Sequence, residues 1–296
     1  MVSAATQATY QDAEEAYNKG YFATAFRELM PLTEKGSAIA QFNIGAMYAH
    51  GQGVSQDDEK AVFWYKKATA QRQVYAQYNL GQMYRQGRGV TQDYQKAALW
   101  YRKAADQGDA DAQSILGAMY DDTLSNPQNN YNRGVPLNYV KAVAWYSKSA
   151  AQGNVTAQYY LGVKYANGQG VPQNYTKAAA WYRKAAEQGE AGAQYNLGVK
   201  YANGQGVAQD YNSAARWYRK AAEQNNAAAQ NNLGILYASG QGVPQDWIQS
   251  LKWFTLAALA KNEDARYNRK LTEAKMQRVQ IVEAVGLAKQ WLANHK

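Results

Sequence analysis

The sequence contains no cysteine and only two histidines, His50 and His295, placed near opposite ends of its 296 residues. The first absence removes disulfide staples, thiolate metal ligands and cysteine nucleophiles together. The second leaves no pair of imidazoles for a zinc site and no histidine base beside a serine or cysteine nucleophile. Carboxylates fall mostly at expected helix caps or in polar loops, with no isolated pair marked by spacing. Catalysis is therefore disfavoured, a hydrolase being the remote alternative, and neither a cofactor nor a metal is expected. Long apolar runs are missing too. The longest, around residues 251–260, is broken by Lys252 and is far short of the ~20 residues of a membrane-crossing helix. The first seven residues carry neither a basic nor an apolar segment, so no signal peptide is read there. Both cytoplasm and periplasm suit such a chain.

What the chain does have is repetition. Ala40-Gln41 returns as Ala76-Gln77, Ala112-Gln113, Ala157-Gln158, Ala193-Gln194 and Ala229-Gln230, at intervals of 36 residues except for one of 45. Most returns bring Leu-Gly or Ile-Gly, a tyrosine, a Gly-x-Gly-Val turn, then Trp-Tyr and Lys-Ala. A period of this size marks a solenoid, in which no unit buries its own apolar face and stacking supplies the core. One unit reads as two helices. Ala193, Leu197, Gly198 and Tyr201 form one stripe of a first helix, which Gly204 ends and Gly206 reverses. Asp210 caps a second helix whose apolar face is Ala214, Trp217, Tyr218 and Ala221. Asn225 takes the left-handed conformation that Gly189 supplies one unit earlier. The matching second-helix caps are Asp57, Asp93, Asn138, Asn174 and Asp246.

Three recurring features are read as scaffold. The mid-helix glycines, Gly45, Gly81, Gly117, Gly162, Gly198 and Gly234, each cost about 1 kcal/mol against alanine, so six of them imply close helix approach. The tryptophans at 64, 100, 145, 181, 217 and 253 are expected to wedge between helices rather than to stack bases or sugars. The Gly-x-Gly turns close one helix instead of opening one after a strand, which excludes a dinucleotide fingerprint.

Taken together, Ala-x-Ala-Gln-Tyr-Asn-Leu-Gly-x-x-Tyr-x-x-Gly-x-Gly-Val-x-x-Asp-Tyr-x-x-Ala-x-x-Trp-Tyr-x-Lys-Ala-Ala, read over residues 191–222, closely resembles the Sel-one-like repeat, a longer-period relative of the tetratricopeptide repeat. The resemblance covers residues 38–271. It implies an all-α, right-handed α/α superhelical solenoid of about six 36-residue helix-turn-helix repeats, with first helices lining the concave side. The organisation expected is a degenerate helical hairpin over 1–37, six repeats over 38–264 and C-terminal capping helices over 265–296. Thr272 is expected to cap a last helix whose buried face includes Met276, Val279, Val282, Leu287 and Trp291. The family consists mostly of adaptors, assembly factors and regulators, and of partners of secreted bacterial effectors. It supplies no catalytic residues, and its cysteine-rich branch does not apply here.

Function is sought where the units differ. The third unit carries nine extra residues between Tyr120 and Gly134, and Asp121, Asp122, Asn129, Tyr131 and Arg133 are its candidate contacts at the solenoid edge. Asp121 and Asp122 are not followed by a glycine-spaced calcium loop, so no metal is expected. On the first helices, Tyr78, Gln82 and Arg85 in unit two, Tyr160, Lys164 and Asn167 in unit four, and Asn196, Lys200 and Asn203 in unit five are read as off the packing stripe and as candidate partner contacts. Such residues suit protein recognition, because tyrosine adds contact area at low entropy cost and asparagine adapts its hydrogen bonds. The second-helix pairs Lys66-Lys67, Arg102-Lys103, Arg183-Lys184 and Arg219-Lys220 read as a solvated outer face. With a formal net charge of +9, the expected partner is another protein with an acidic surface. The leading expectation is a non-enzymatic binding scaffold, as a bacterial adaptor or regulator first and as a neutralising, immunity-type partner of a secreted effector second. The alternative is nucleic-acid or glycan (peptidoglycan) binding through a basic, tyrosine-rich groove, with nucleic acid the less favoured. Oligomeric state is not assigned.

Overall fold

In the computed structural model, which describes residues 4–121 and 135–295, every regular element among the described residues is an α-helix. The chain divides into two compact units, Met1–Gln152 and Gly153–Lys296. The first holds α1 (Ala4–Asn18), α2 (Phe22–Glu34), α3 (Ala38–His50), α4 (Asp58–Ala70), α5 (Val74–Gln86), α6 (Tyr94–Asp106), α7 (Ala110–Met119) and α8 (Tyr139–Ala151). The second holds α9 (Val155–Asn167), α10 (Tyr175–Glu187), α11 (Ala191–Asn203), α12 (Tyr211–Glu223), α13 (Ala227–Ser239), α14 (Trp247–Leu259), α15 (Glu263–Glu273) and α16 (Arg278–Asn294). Within each unit consecutive helices pack in pairs and the pairs stack, as a solenoid requires.

Side-chain caps set the starts. Asp57, Asp93, Asn138, Asn174, Asp210 and Asp246 each accept a backbone N–H in the first turn of a second helix, as their residue types predict. First helices are capped in the same way by Ser37, Gln73, Asp109, Asn154, Glu190, Asn226 and Asn262. Gly51, Gly87, Gly168, Gly204 and Gly240 end five of them in the left-handed conformation. The first helix of the 45-residue unit has no such glycine, and α7 stops early at Met119.

The mid-helix glycines are receptors for rings. A Cβ on Gly45, Gly81, Gly117, Gly162 or Gly198 would lie 2.5–2.9 Å from the ring of Tyr65, Tyr101, Tyr146, Tyr182 or Tyr218, the tyrosine on the paired second helix. In the last full pair Phe254 meets Gly234 in the same way. The tryptophans wedge among the second helices, Trp145 and Trp253 buried and the rest half-buried. A lysine three residues on covers the rings at 64, 100, 145, 181 and 217, with Nζ 4.0–5.2 Å from the centroid. The basic outer stripe is solvent-exposed except for the half-buried Arg219, and Lys67, Arg102, Lys103, Lys184 and Lys220 spend their charge partly on cation–π contact.

A glutamine clasp ties each pair at its closed end. Gln41, Gln77, Gln113, Gln158 and Gln194 are buried, and each accepts a hydrogen bond of 2.8–3.0 Å from the glutamine that ends its own second helix. The same donors reach back to a turn carbonyl, as from Gln224 Nε2 to Gly189 O at 2.9 Å. The clasp is broken once. Position 260 is alanine, and the buried Oε1 of Gln230 has no hydrogen-bond partner among the described residues. A lone buried acceptor costs about 1–3 kcal/mol. Ala260→Gln is therefore expected to raise stability by about 1 kcal/mol in urea unfolding, and an unchanged midpoint would show that the clasp carries no energy.

Two details of the C-terminal end differ from expectation. Thr272 is buried inside α15 and caps nothing; the final helix starts after Gln277, whose N–H donates to Gln280 Oε1 at 3.0 Å. Its buried stripe is Ala284, Ala288 and Trp291, at i, i+4 and i+7. Val279 and Val282 fall on the opposite side of that stripe and are exposed.

Candidate functional site

Along α5 the sequence places a tyrosine, a glutamine and an arginine at i, i+4 and i+7, which is one face of a helix. The structure joins them into one half-buried polar cluster. Gln82 Nε2 donates to the Tyr78 hydroxyl at 2.9 Å, while Gln82 Oε1 accepts from Arg85 Nε and Nη2 at 3.1 and 2.9 Å. The Tyr78 ring also stands edge-on to Tyr101, 5.7 Å between centroids, so part of this residue is scaffold. Burial first, and then the Asp111 and Asp109 carboxylates, hold the Tyr78 phenol above its ordinary pKa, against the Gln82 hydrogen bond and the Arg85 charge. The hydroxyl thus keeps its proton between a guanidinium and two carboxylates. Asp109 is itself pushed up, chiefly by burial, while its side chain caps α7 through Ala112 N–H at 2.7 Å. A protonated phenol, an amide and a guanidinium on one face can meet backbone carbonyls and carboxylates of a polypeptide, but offer no nucleophile–base pair.

In the second compact unit, Gly153–Lys296, Asn167 and Asn203 are exposed at the ends of α9 and α11, and Tyr160 is half-buried with its ring 4.9 Å from Tyr159. The lysines between them are not on this surface. Lys164 is 0% and Lys200 8% exposed. Their ammonium groups donate to Gln169 and Gln205 at 2.9 and 2.8 Å, and Lys200 lies 4.4 Å over the Tyr175 ring. The correction has a simple cause. Counting from Ala157 or Ala193, these lysines fall at i+7, back on the packing stripe, where the other repeats carry Met47, Met83, Met119 and Leu236, all buried. Burial lowers the Lys200 pKa. The unfolded chain then binds more protons, so this group's contribution to stability rises with pH through its depressed pKa towards ~10.4. Lys200→Met is expected to be neutral or to stabilise by about 1 kcal/mol in thermal or urea unfolding, because a buried charge is replaced by the volume the other repeats use. A loss above ~2 kcal/mol would restore the lysine to a structural role.

The asparagine ladder is likewise largely internal. Asn79 Nδ2 donates to the Tyr65 hydroxyl at 3.3 Å and Asn43 Nδ2 to that of Tyr10 at 3.1 Å. Asn232 stands beside the Tyr218 phenol, and Asn196, a candidate contact, beside that of Tyr159, each lowering its pKa. Burial nevertheless drives Tyr65 and Tyr218 up to about 12. A phenol raised in the folded state stabilises fully below the unfolded value of ~10 and loses that contribution as pH climbs through the folded one. The urea midpoint is accordingly expected to fall between pH 10 and 12, and a flat profile followed by circular dichroism would contradict burial of these rings.

Asp121, read as an edge-loop residue, is buried and accepts a hydrogen bond from the Tyr146 hydroxyl at 3.3 Å. It closes the pair around Gly117 instead of facing a partner. Asp122, Asn129, Tyr131 and Arg133 lie outside the described residues. The two histidines are taken up by their own helices: His50 Nδ1 lies 2.8 Å from Ala46 O, and His295 stacks on Trp291 at 4.0 Å. Among the described residues no group of three or more histidine, aspartate or glutamate side chains is placed to hold a metal, and no helix is long and apolar enough to cross a membrane.

The structure adds surfaces that periodicity did not flag. A pocket of about 340 Å³ opens between α1 and α3, floored by Leu29 and Phe42 with Glu14 and Asn18 at its rim. Another, of about 740 Å³, is lined by α14 and α15. Both lie at stack ends, where a sequence argument built on repeats has no second copy for comparison.

The Sel1 repeat model matches residues 38–72, 74–109, 129–154, 155–190, 191–226 and 227–262. Among solved structures, a protective antigen of uropathogenic Escherichia coli displaying an SLR fold is 32% identical with a TM-score of 0.62, over 97% of this chain and 68% of that one. A Sel1 repeat protein from Oxalobacter formigenes is 31% identical with a TM-score of 0.70, over 84% of this chain and 96% of that one. No match is found among curated proteins. Six matched repeats spanning most of the chain, and stacked helix pairs built as those repeats demand, make this chain a member of the Sel1 repeat family.

Proposed function

We propose that this protein is a non-enzymatic scaffold, a bacterial adaptor or regulator, that holds a partner protein against its first helices, with the Tyr78–Gln82–Arg85 cluster as a principal contact. The observation that carries this reading is the contrast along one helix. On α5 Ala76, Gln77 and Gly81, shared by all six repeats, and Leu80, leucine or isoleucine in each, are buried and used in packing. The positions that change from repeat to repeat carry a linked set of donors and acceptors at a half-exposed surface. Family membership supports the same class, because stacked helix pairs present an extended surface with no enclosed site. The formal charge of +9 favours an acidic partner. Tyrosine and arginine, both at the half-exposed surface of this cluster, are enriched at protein interfaces and among their energetic hot spots.

The test is site-specific photocross-linking in the native cell. A photoreactive amino acid at position 82 is expected to give a discrete protein adduct, whereas the same group at position 66 on the exposed side of α4 gives none. Equal labelling at both sites, or none at 82 under any growth condition, would overturn the reading.

A further inference from the structure

In the repeats each first helix is covered by the second helix of its own pair, whose ring sits on the mid-helix glycine. The last first-type helix, α15, is not covered in this way. Helix α16 packs against α14, with Trp291 edge-on to Trp253 at 6.3 Å, and leaves the receiving side of α15 open. That open side is the groove of about 740 Å³, walled by Leu259 and Tyr267, which are 60% and 65% exposed. Its floor is set by substitutions at the receiving positions. Arg266 stands where Gln230 stands one repeat earlier, Arg269 replaces Leu233, and Lys270 replaces the packing glycine Gly234. A lysine there forbids the usual tyrosine or phenylalanine and calls for a carboxylate.

From this arrangement we infer that the groove on α14 and α15 is a second docking site, whose occupant is an amphipathic helix of a partner protein carrying acidic residues on its apolar face. The repeat geometry gives the occupant its shape, because every other first helix receives a helix in this seat. Charge complementarity gives it its chemistry. Arg266 pairs with Glu263 at 2.6 Å and Arg269 with Glu273 at 2.8 Å, while Lys270 has no ion-pair partner among the described residues. One cation at the centre of the seat is left for the ligand. An incoming helix would lay aliphatic side chains on Leu259 and Tyr267 and set a carboxylate on Lys270, the helix-in-groove mode of recognition. A further tyrosine-bearing repeat, or a second copy docking by its own second helix, is disfavoured, since either would bury Lys270 beneath a ring without a counter-charge. The site lies wholly on α14 and α15 and does not depend on the α5 cluster.

The probe follows from the register of α12 on α11, where Tyr218 meets Gly198 and Gln224 clasps Gln194. A fluorescent peptide of residues 209–225 carrying Tyr218→Glu would set its carboxylate on Lys270. Fluorescence anisotropy with the intact chain is expected to show saturable binding of this peptide. In Lys270→Glu the affinity should fall at least tenfold, while a peptide with lysine at position 218 should gain affinity for that variant. Lys270 is exposed, and circular dichroism of the variant checks that the fold is kept. Absence of binding to the intact chain, or binding that ignores both charge reversals, would overturn the proposal. Cross-linking at position 82 is expected to be unaffected by Lys270→Glu, so failure of one site is read separately from failure of the other.

Discussion

Gly206→Ala is expected to cost about 3–5 kcal/mol, whereas Gly204→Ala, two residues earlier in the same turn, should cost only about 1 kcal/mol. Both glycines have positive φ, 76° and 65°, so backbone strain alone would make them equal. They differ in what a methyl group would meet. On Gly204 the nearest atom is Gln209 Cβ at 3.3 Å, on a side chain that can shift. On Gly206 the nearest atom is the backbone carbonyl carbon of Tyr175, which α10 holds in place. Relief requires separating this turn from the start of the preceding second helix, and that contact recurs where Gly242 meets Tyr211, Gly53 meets Phe22 and Gly89 meets Asp58. In these four turns the second glycine is therefore the hinge pin between successive pairs. Urea unfolding of the two variants checks the ratio, and equal losses would mean that the turns do not bear on their neighbours.

A second large effect is expected at Gly198. In an ordinary helix interior glycine to alanine gains about 1 kcal/mol. Here the new Cβ would stand 2.6 Å from the Tyr218 ring, and overpacking of a rigid aromatic against a helix costs about 2–4 kcal/mol. The sign of the mutation should therefore invert. In a Tyr218→Leu background the clash is removed and the cost of Gly198→Ala should shrink to near zero, giving a coupling energy of about 2 kcal/mol or more in the double-mutant cycle. Additive losses would show that the glycine serves the helix and not the ring.

Much of this architecture was legible in the sequence, because a repeated residue reports its own environment several times over. The mid-helix glycines implied close approach, and the structure supplies the ring that each receives. The second-helix caps, the left-handed Asn225 and the tryptophan wedges needed only local chemistry and the 36-residue spacing. The misreadings have physical causes as well. Lys164 and Lys200 are read outside the stripe because the seventh position after the repeated alanine is not counted into it, although Met47, Met83, Met119 and Leu236 stand there and are buried. Local sequence groups Asp121 with the loop that follows it, because its contact with Tyr146 is tertiary and leaves no local trace. The start of the final helix is misread because Thr272 is a good cap by residue type while Gln277 is not, and only the burial of Thr272 within α15 shows that it is not used. The α14–α15 groove was invisible for a different reason: it arises where a repeat partner is absent, and periodicity describes what is present. Its floor could have been noticed as three basic residues at positions that are glutamine, leucine and glycine one repeat earlier.

Two roles are divided among the residues of the same helices. Residues common to all repeats hold the stack together, and residues that change from one to the next meet the partner. The most direct measurement of that claim uses the partner identified by cross-linking at position 82, purified and titrated against three forms of the chain in a calorimeter. The account predicts that Tyr78→Phe combined with Arg85→Ala, which keeps the Tyr101 contact and the fold, weakens binding at least tenfold, while Lys66→Glu on the opposite side leaves it unchanged. Full affinity in the double variant, together with loss in Lys66→Glu, would contradict it.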